Sequence, residues 1–260
     1  MTNLFDLAAN ARVYDLGQPY YVGMPHYPVH PPYLFGLVKQ HGDYVGPLGN
    51  SSASEAIALG GHVGTHIDAI GHFSCCGKLY GGADAAAVQS YGGGLRTQSI
   101  DTVAPIVRRG VLLDIAQAIP LPPDFEILPH HLDDALARQR VEIRPGDIVL
   151  LRTGWAAFWD DARRYINEVH GPGPSLAGAQ WLSARGIFAA GSDTVAFEKV
   201  PDASLPVHVH LLVEHGIHII ECLNLEELAA NGIYQFLFIA SPLKLIGGTA
   251  SPIRPLAVVA

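Results

Sequence analysis

The residues whose types and spacing could do chemistry lie close together, between positions 61 and 73. Three histidines and one carboxylate, His62, His66, Asp68 and His72, fall within eleven residues. Imidazole nitrogens and carboxylate oxygens are the ligands that borderline divalent metals such as Zn²⁺ prefer. Glycines are interleaved and almost no other charge lies nearby. A metal site is therefore a better interpretation of this stretch than a set of unrelated histidines in a surface loop.

Neither a straight helix nor a straight strand would bring these side chains together. On a helix, His62 and His66 share a face, but Asp68 lies on the side away from His66. On a strand all of them point to one side, yet His62 and His66 are then about 13 Å apart. Metal–ligand bonds are only about 2 Å long, so that separation is awkward for one ion. A turn between the two histidines removes the difficulty, and Gly61 and Gly64 permit one.

The stretch is therefore expected to be a bent loop that follows a strand ending near Leu59. The loop would gather His62, His66 and Asp68 around one ion, with His72 just beyond them and free to act on a proton. A bound metal lowers the pKa of water towards about 7 and polarises a carbonyl. A histidine that takes the proton of the water and returns it to the leaving nitrogen contributes about 10²–10⁴ in rate. Amide or ester hydrolysis is the chemistry that this set predicts.

Two residues far along the chain could complete the site. His208 opens a predicted helix, and Glu221 lies inside an otherwise apolar predicted strand. An ionised glutamate there is costly unless it is paired or metal-bound, so Glu221 is a candidate ligand of the same ion or of a second one. The alternative is an edge position that faces solvent. His210 and His218 are weaker candidates because each faces away from its neighbour in the predicted element, and Asp193 is better explained as a hydrogen-bonding scaffold residue.

Other chemistries lack their motifs. The sequence has no G-x-S-x-G elbow for a serine hydrolase, and no G-x-G-x-x-G or G-x-x-x-x-G-K-[ST] loop for a nucleotide. H-E-x-x-H, the common metalloprotease pattern, is absent as well. What remains is an open metal site beside a mobile histidine.

Composition limits the class of protein. Of 260 residues 49% are hydrophobic and 15% charged, which supplies a buried core and leaves little for disorder. The net charge of −8, without a basic run, argues against nucleic acid as a partner. No signal peptide is expected in residues 1–14, and no apolar run is long enough to span a membrane. Three cysteines favour a reducing compartment, with Cys75 and Cys76 as small apolar filler, so we expect a soluble cytoplasmic protein.

The elements that must position the site do not follow a strict βαβ rhythm. We expect one domain over residues 1–260, of mixed α/β class, with a mixed sheet curled towards a barrel and helices outside it. Residues 1–35 would form an N-terminal arm, and the proline-rich part at 23–33 would drape over its own pocket or over a neighbouring subunit. Strands are predicted at 13–16, 54–59, 111–115, 148–151, 187–190, 217–223, 236–240 and 255–259, and helices at 128–140, 175–185, 207–214 and 225–228.

The order H-V-G-T-H-I-D-A-I-G-H at residues 62–72 resembles the H-x-G-T-H-x-D-x-P-x-H signature of the metal-dependent cyclase family. That family includes bacterial kynurenine formamidases, isatin hydrolases and related cyclic-amide (lactam) hydrolases. The H-x-G-T-H-x-D core is quite specific. Individually weak pieces extend the resemblance over most of the chain, at residues 14–16, 23–25, 110–114, 152–155, 191–194, 221–225 and 251–254.

The resemblance implies a swivelling β/β/α fold, Zn²⁺ or Mn²⁺ as the metal, and a homodimer or homotetramer with the N-terminal arm exchanged across an interface. By the same resemblance His72 is the catalytic acid and base. The implied ligands of the first ion are His62, His66 and Asp68, and those of a second ion, where two are present, are Asp68, His208 and Glu221.

One departure from the signature and one difference in length bear on the substrate. Ile70 stands where the family usually has proline, so the segment before His72 is less rigid. Extra sequence near 80–94 and 121–140 favours a small cyclic amide, of the isatin or γ-lactam type, opened by metal-bound hydroxide with His72 as general acid and base. Tyr27 and Phe73 are the expected substrate-binding residues. The alternatives are an arylformamidase acting on N-formylkynurenine and a non-catalytic small-molecule binding protein with a structural metal.

Overall fold

The fold is organised around one large sheet, as seen in a computed structural model that describes residue 5 and residues 9–260. The strands are β1 (Arg12–Asp15), β2 (Leu34–Lys39), β3 (Ser54–Ala58), β4 (His66–Asp68), β5 (Gln89–Ser90), β6 (Gly94–Leu95), β7 (Ile106–Asp114), β8 (Glu126–Ile127), β9 (Ile148–Arg152), β10 (Gly173–Pro174), β11 (Ala189–Ser192), β12 (His218–Glu221), β13 (Gln235–Ala240), β14 (Ala250–Pro252) and β15 (Leu256–Val259). The helices are α1 (Pro129–Gln139), α2 (Ala162–Ile166), α3 (Leu176–Ser183), α4 (Pro206–His208), which continues into a π-helix (Val209–Glu214), and α5 (Glu226–Ala230). Short 3₁₀ turns lie at Ile70–His72, Tyr80–Gly82, Ala86–Val88, Ile100–Thr102 and Trp155–Phe158.

Nine of these strands form the main sheet, in the spatial order β1-β15-β13-β7-β9-β11-β12-β4-β14. Its centre is parallel, because β7, β9, β11 and β12 run in one direction. The strands on either side pair antiparallel, including β4, which lies between β12 and β14. The sheet is curled into a half-barrel. The remaining strands pair as three two-stranded ribbons, β2 with β3, β5 with β6 and β8 with β10.

The parallel centre is buried on both faces, which explains its continuous apolar sequence. Side chains alternate across a strand. Accordingly Leu112 packs into one buried cluster, while Val111 and Leu113 pack into another on the opposite face with α1 and α3. These two clusters fix the positions of β11 and β12, and with them the residues at the ends of these strands.

The segment before β2 is tied to the body of the protein. Trp159 Nε1 donates a hydrogen bond of 3.0 Å to Pro19 O, and the Tyr21 hydroxyl donates one of 2.8 Å to Trp159 O. Met24 and Tyr33 are buried in a third cluster. The ribbon that follows, β2 and β3, lies outside the main sheet, and nearly all of its side chains are exposed.

The predicted mixed α/β class, with a curled sheet and outer helices, is confirmed. The helices predicted at 128–140 and 175–185 are α1 and α3, and the segment at 207–214 is helical but π-helical over most of its length. Among the described residues, no helix is both long and apolar enough to cross a bilayer. The expectation about residues 1–14 and the start of the predicted arm fall partly on residues outside this description.

The interpretation of Cys75 and Cys76 as apolar filler is wrong, because both are exposed. They lie in a tight turn closed by paired backbone hydrogen bonds of 2.9 Å between Cys75 and Lys78. A turn of this kind directs its side chains outward, which nothing in a pair of small apolar residues reveals in advance.

Candidate metal centre

The centre is built on β4, the three-residue strand His66–Asp68. His66 and Asp68 are two residues apart and so project from the same face of the strand. β12 pairs with β4 such that Glu221 lies directly opposite His66. The expectation of a loop is therefore wrong here: pairing with β12 and β14 makes the ligand-bearing residues a strand.

The turn that was expected between the first two histidines is present at Gly64, whose φ is +68°. It brings His62 Nδ1 to 2.8 Å from Asp68 Oδ1, while His62 Nε2 lies 3.0 Å from Thr249 Oγ1. His66 Nδ1 lies 2.8 Å from Gly64 O. Since a carbonyl oxygen only accepts, Nδ1 of His66 carries the proton and Nε2 has a free lone pair.

His208 enters from α4, on the opposite side of the cluster. Its Nδ1 lies 2.6 Å from Glu198 Oε1, and the same carboxylate accepts the backbone N–H groups of Val207 and His208 at 3.2 and 2.9 Å. Glu198 thereby fixes both the start of the helix and the orientation of the ring. The other ring nitrogen, Nε2, faces Glu221 Oε1 at 3.4 Å and Asp68 Oδ2 at 4.0 Å.

Asp68 is shared by two groups of potential ligands. Donor atoms of Asp68, His62 and His72 lie within 4.8 Å of one another, and so do those of Asp68, His208 and Glu221. His66 Nε2 stands between the groups, 3.6 Å from Asp68 Oδ1 and 3.4 Å from Glu221 Oε2. The geometry accommodates one ion, or two that share Asp68.

The donor set fits a cation, as its buried polar atoms show. His66 Nε2, Asp68 Oδ1 and Glu221 Oε1 are buried, and among the described residues their polar neighbours are only one another and ring nitrogens of the same cluster, such as His62 Nδ1 at 2.8 Å from Asp68 Oδ1 and His208 Nε2 at 3.4 Å from Glu221 Oε1. Buried polar atoms are normally satisfied, and two carboxylates that lose hydration side by side are costly without positive charge between them. A divalent ion bound by nitrogen and oxygen supplies that charge and satisfies all three atoms.

Without a bound cation, the charges of the cluster favour protonation of its histidines. Burial lowers the pKa of His208, but its hydrogen bonds to Glu198 and Glu221 outweigh burial and raise it to about 10. Burial would raise the pKa of Asp68, yet the nearby charges of His72 and His62 hold it far below its usual range. The carboxylates of the cluster therefore stay ionised, and their negative charge favours a bound cation.

His72 differs from the other histidines of the centre. It ends the 3₁₀ turn that follows β4, and its ring centroid lies 4.0 Å from that of His62. Burial is the largest influence on it and lowers the pKa of its imidazole to about 3, against the attraction of Asp68. His72 is thus neutral at neutral pH and able to accept a proton.

A cavity of about 190 Å³ opens onto the centre. Tyr27 and Phe73, the residues expected to bind substrate, both line it. Tyr27 comes from the segment before β2, so this segment covers the chain's own pocket. The other residues that line the cavity are Val29, His30, His62, Asp68, His72, Val195, Ala196, Leu205, His208 and Glu221.

The structure thus brings together His62, His66, Asp68, His72, His208 and Glu221, whereas the weaker candidate His210 lies in a separate group and His218 Nδ1 lies against the backbone oxygen of Asp68 and not its carboxylate. Asp193, expected as a scaffold residue, is buried outside the cluster, and its Oδ1 accepts hydrogen bonds from Thr153 N and Oγ1 at 2.8 and 2.6 Å. Sequence reasoning missed Glu198 and His30, whose Nδ1 lies 3.3 Å from His62 O. The available signal for Glu198 was a carboxylate amid the apolar residues Val195, Ala196, Phe197 and Val200, the same argument that selected Glu221.

Comparison with known proteins agrees with this geometry. The sequence model of the Cyclase family ("Putative cyclase") matches residues 14–199. Isatin hydrolase of Roseibium aggregatum is 30% identical over 213 residues, which cover 78% of this chain and 73% of that protein. Kynurenine formamidase of Bacillus cereus is 30% identical over 195 residues, or 74% of each chain. A crystal structure of a novel cyclase is similar with a TM-score of 0.89 and 30% identity, covering 97% of this chain and 88% of the other.

Both relatives are enzymes that their names describe as a hydrolase and a formamidase, in agreement with the predicted class of enzyme. The family match spans β4, the Gly64 turn and Glu198. The chain belongs to the cyclase family.

Proposed function

We propose that this protein is a metal-dependent hydrolase that opens the amide bond of a small cyclic amide, of the isatin or γ-lactam type. The observation that carries the proposal is the convergence of buried nitrogen and oxygen atoms of His66, Asp68 and Glu221 on one another, beside a neutral histidine that lines a small cavity. Its similarity to isatin hydrolase of Roseibium aggregatum supports the same class of substrate.

The ligands would be His62, His66 and Asp68, with His208 and Glu221 completing a site for one or two ions of Zn²⁺ or Mn²⁺. When bound, such an ion acts as a Lewis acid that acidifies water and polarises a carbonyl. The chain's own residues orient the ligands and move the proton. Glu198 holds His208 in one orientation.

His72 is the group that moves the proton. Its imidazole accepts a proton from the attacking water and then donates it to the amide nitrogen as the C–N bond breaks. The low pKa of His72 keeps it in the accepting form at neutral pH. Since a nitrogen of His72 also lies within 4.8 Å of donors on His62 and Asp68, the role as proton carrier must be separated from that of a ligand by experiment.

The cavity supports a compact, partly aromatic substrate. Its walls are Tyr27 and Phe73 together with aliphatic side chains, while its polar groups converge at the metal ligands. A planar bicyclic amide can stack on the aromatic side chains with its carbonyl towards the cluster.

A second candidate is an arylformamidase acting on N-formylkynurenine with the same residues. The specific observation in its favour is the similarity to kynurenine formamidase of Bacillus cereus, at the same 30% identity as isatin hydrolase. A panel of isatin, a bicyclic γ-lactam and N-formylkynurenine, assayed with elemental analysis of the purified protein, distinguishes the candidates. We expect kcat/KM for a cyclic amide to exceed that for the formamide by at least about tenfold, or about 1.4 kcal/mol. A preference for the formamide would favour the second candidate, and binding without any turnover would indicate a non-catalytic protein.

The role of His72 has its own test. In His72→Ala we expect the metal content of the wild type and a loss of about 10²–10⁴ in kcat, the contribution of a general acid and base. His170→Ala is the matched control, because His170 is exposed and contacts only backbone carbonyls of its own loop. Loss of the metal in His72→Ala would make His72 a ligand, and full activity in the metal-loaded variant would remove it from the mechanism.

We also propose that the chain assembles as a homodimer or homotetramer through the ribbon of β2 and β3. Leu34, Phe35, Leu37 and Val38 of β2 are between 48% and 70% exposed, and Ile57 of β3 is 54% exposed. Because side chains alternate along a strand, Phe35 and Leu37 share one face of the ribbon with Ile57, which pairs with Phe35, and this exposed apolar face is suited to burial against a second copy. Exposed free thiols at Cys75 and Cys76 favour a reducing, cytoplasmic setting. The acidic net charge favours a small molecule over nucleic acid as the other partner.

A further inference from the structure

A second group of metal-ligating side chains lies outside the centre, at the end of the π-helix. One donor atom from each of His210, Glu214 and His215 lies within 4.8 Å of the others. His210 is buried, whereas Glu214 and His215 are exposed. None of the three lines the catalytic cavity.

The π-helical geometry creates this juxtaposition. Residues 209–214 form the π-helix, in which hydrogen bonds link residues five apart along the chain. Its wider turn places residues four and five positions after His210 on either side of the His210 side chain. Glu214 Oε2 lies 2.8 Å from His210 Nδ1, and the rings of His210 and His215 are 4.1 Å apart between centroids. In an α-helix the residue four positions after His210 would share its face, but the residue five positions after it would not.

The hydrogen bonds leave a free nitrogen lone pair on His215 and, on His210, a proton that a cation can displace. His215 Nδ1 lies 3.0 Å from His210 O, a carbonyl that can only accept, so Nδ1 carries the proton and Nε2 has the lone pair. His210 Nε2 lies 2.8 Å from Ser183 Oγ, whose own proton can go to Gln180 O at 3.1 Å. Because the Glu214 carboxylate only accepts, His210 Nδ1 donates its proton to Glu214 Oε2 at 2.8 Å. A cation bound between these two atoms would displace that proton, and Nε2 would then donate to Ser183.

We propose that His210, Glu214 and His215 form a second divalent transition-metal site, separate from the catalytic centre. Two imidazole nitrogens and one carboxylate oxygen are a ligand set that suits Zn²⁺, with water in the remaining position. His210 is fixed by burial and by Ser183, and the exposed side chains of Glu214 and His215 can close on an ion with small rotamer changes. The carboxylate gives the site a negative charge that a divalent cation neutralises.

The position of the site defines what it would do. The π-helix directly continues α4, which ends in His208, and His210 contacts Ser183 at the end of α3. An ion here would tie the far end of the π-helix back to its first turn and so stabilise the segment that carries His208. Being exposed, the site would exchange its ion with solvent more readily than the buried centre does.

The test counts zinc equivalents in the full-length protein after stripping with a chelator. Asp68→Asn removes the carboxylate shared by both groups of central ligands, so that Zn²⁺ titrated against a chromophoric chelator at pH 7.5 reports the peripheral site. We expect Asp68→Asn to bind one equivalent, and the added change His215→Gln to weaken that equivalent by at least about tenfold, the usual effect of losing a ligand contact. His170→Gln is the matched control, because His170 is exposed and its Nδ1 also lies close to backbone carbonyls.

The same measurement in the wild-type background does not depend on the folding of Asp68→Asn. There His215→Gln should bind one equivalent of Zn²⁺ fewer than the wild type, with unchanged hydrolytic activity once the central site is loaded. Equal stoichiometry and affinity in the wild type and His215→Gln would overturn the proposal, as would a similar loss in His170→Gln. Failure of the hydrolase assignment would leave this zinc count unaffected.

Discussion

Glu198 shows how one residue without direct contact to substrate can govern the centre. Its carboxylate contacts Nδ1 of His208 at 2.6 Å and accepts two backbone N–H groups of α4. Glu198→Gln replaces one acceptor oxygen by an NH₂ group that faces these donors. We expect metal affinity to fall by about 10–100-fold, the usual effect of losing a partner that orients a ligand, measured by competition with a chelator.

The matched control for Glu198→Gln is Glu227→Gln, which makes the same chemical change at an exposed position of α5. A purely structural role for Glu198 would lower the free energy of unfolding but leave metal affinity unchanged once the protein is folded. That outcome would contradict the positioning role. Glu198→Asp, which keeps the charge, should recover part of the affinity.

Asp193 gives the protein a pH-dependent stability that can be isolated. Burial raises its pKa to about 6, against the hydrogen bonds from Thr153. In the unfolded chain the pKa is about 3.9, so between about pH 4 and pH 6 the folded state holds a proton that the unfolded state has released. The contribution of Asp193 to the free energy of unfolding therefore falls as pH rises through this window, by about 3 kcal/mol in all.

Asp193→Asn cannot titrate and keeps an oxygen for the bonds from Thr153 N and Oγ1. We expect the stability of the wild type relative to Asp193→Asn to decline from pH 4 to pH 7, as measured by urea unfolding of both proteins at each pH. The comparison cancels all groups that titrate equally in the two proteins. A difference that does not vary with pH would show that the carboxyl has an ordinary pKa.

Single residues with a chemical reason to be buried were the ones that the sequence identified best. Glu221 was selected because a charge inside an apolar strand needs a partner, and the structure places it opposite His66. Glu198 was missed because it follows a short irregular segment in which no period of 2 or 3.6 marks a face. The contact of His30 with His62 depends on the path of a proline-rich segment, which no local pattern encodes.

At the scale of elements, the turn at Gly64 positions the first two histidines. Its φ of +68° is unfavourable for any other residue, and a Cβ there would overlap the Tyr20 ring. The Tyr20 hydroxyl contacts Val63 O and Thr65 O on either side of the turn, at 2.9 and 3.0 Å. We expect Gly64→Ala to lower the free energy of unfolding by about 2–4 kcal/mol, from left-handed strain and overpacking, and to reduce metal content.

The control for Gly64→Ala is Gly77→Ala. Gly77 has a similar φ of +74°, but nothing lies within 4 Å of the position of its added Cβ. Gly77→Ala should therefore lower the free energy of unfolding by only about 1–2 kcal/mol, the cost of a left-handed backbone, as measured by urea unfolding. Its metal content should equal that of the wild type. Equal losses in both variants would mean that Tyr20 moves aside and that strain alone accounts for the effect.

Elements with an apolar pattern were predicted from the sequence, including the four-residue strands β1, β11 and β15, whereas β2, β4 and α2 were not. The strands β7, β9, β12 and β13 and the helices α1 and α3 have apolar patterns long enough to recognise. β4 has three residues, two of them candidate ligands, and is a strand only because β12 and β14 lie on both sides of it. The π-helix has the composition of an α-helix, and the sequence carries no signal that separates the two.

For the whole molecule, the exposed ribbon predicts self-association. If Leu37 is buried between copies of the chain, Leu37→Lys should convert a dimer or tetramer to a lower mass, measured by size-exclusion chromatography with light scattering. Ile119→Lys is the matched control, because Ile119 is 72% exposed and lies outside the ribbon. A monomeric wild type, or an unchanged mass in Leu37→Lys, would contradict assembly through this surface.

The class of fold followed from composition, mixed element order and family resemblance, whereas the strand order did not. Nothing local indicates that β15, the last strand, lies between β1 and β13, or that β4 inserts between β12 and β14. These neighbours are set by packing on both faces of the sheet, which joins β1 to β15, and β4 to β12 and β14, across more than 100 residues of sequence. The ligand set could be proposed from residue types, but its assembly required this long-range order.

The pairing of His66 with Glu221 links two parts of the gene that are 155 codons apart. Insertion or deletion of a single codon within either strand would turn one partner to the opposite face and abolish the cation site, even if the rest of the domain folded. Insertions and deletions in related sequences should therefore be confined to the surface turns. The strands His66–Asp68 and His218–Glu221 should align without gaps. A deep mutational scan that includes one-residue insertions would map the centre directly, as two short intervals of intolerance within an otherwise permissive periphery.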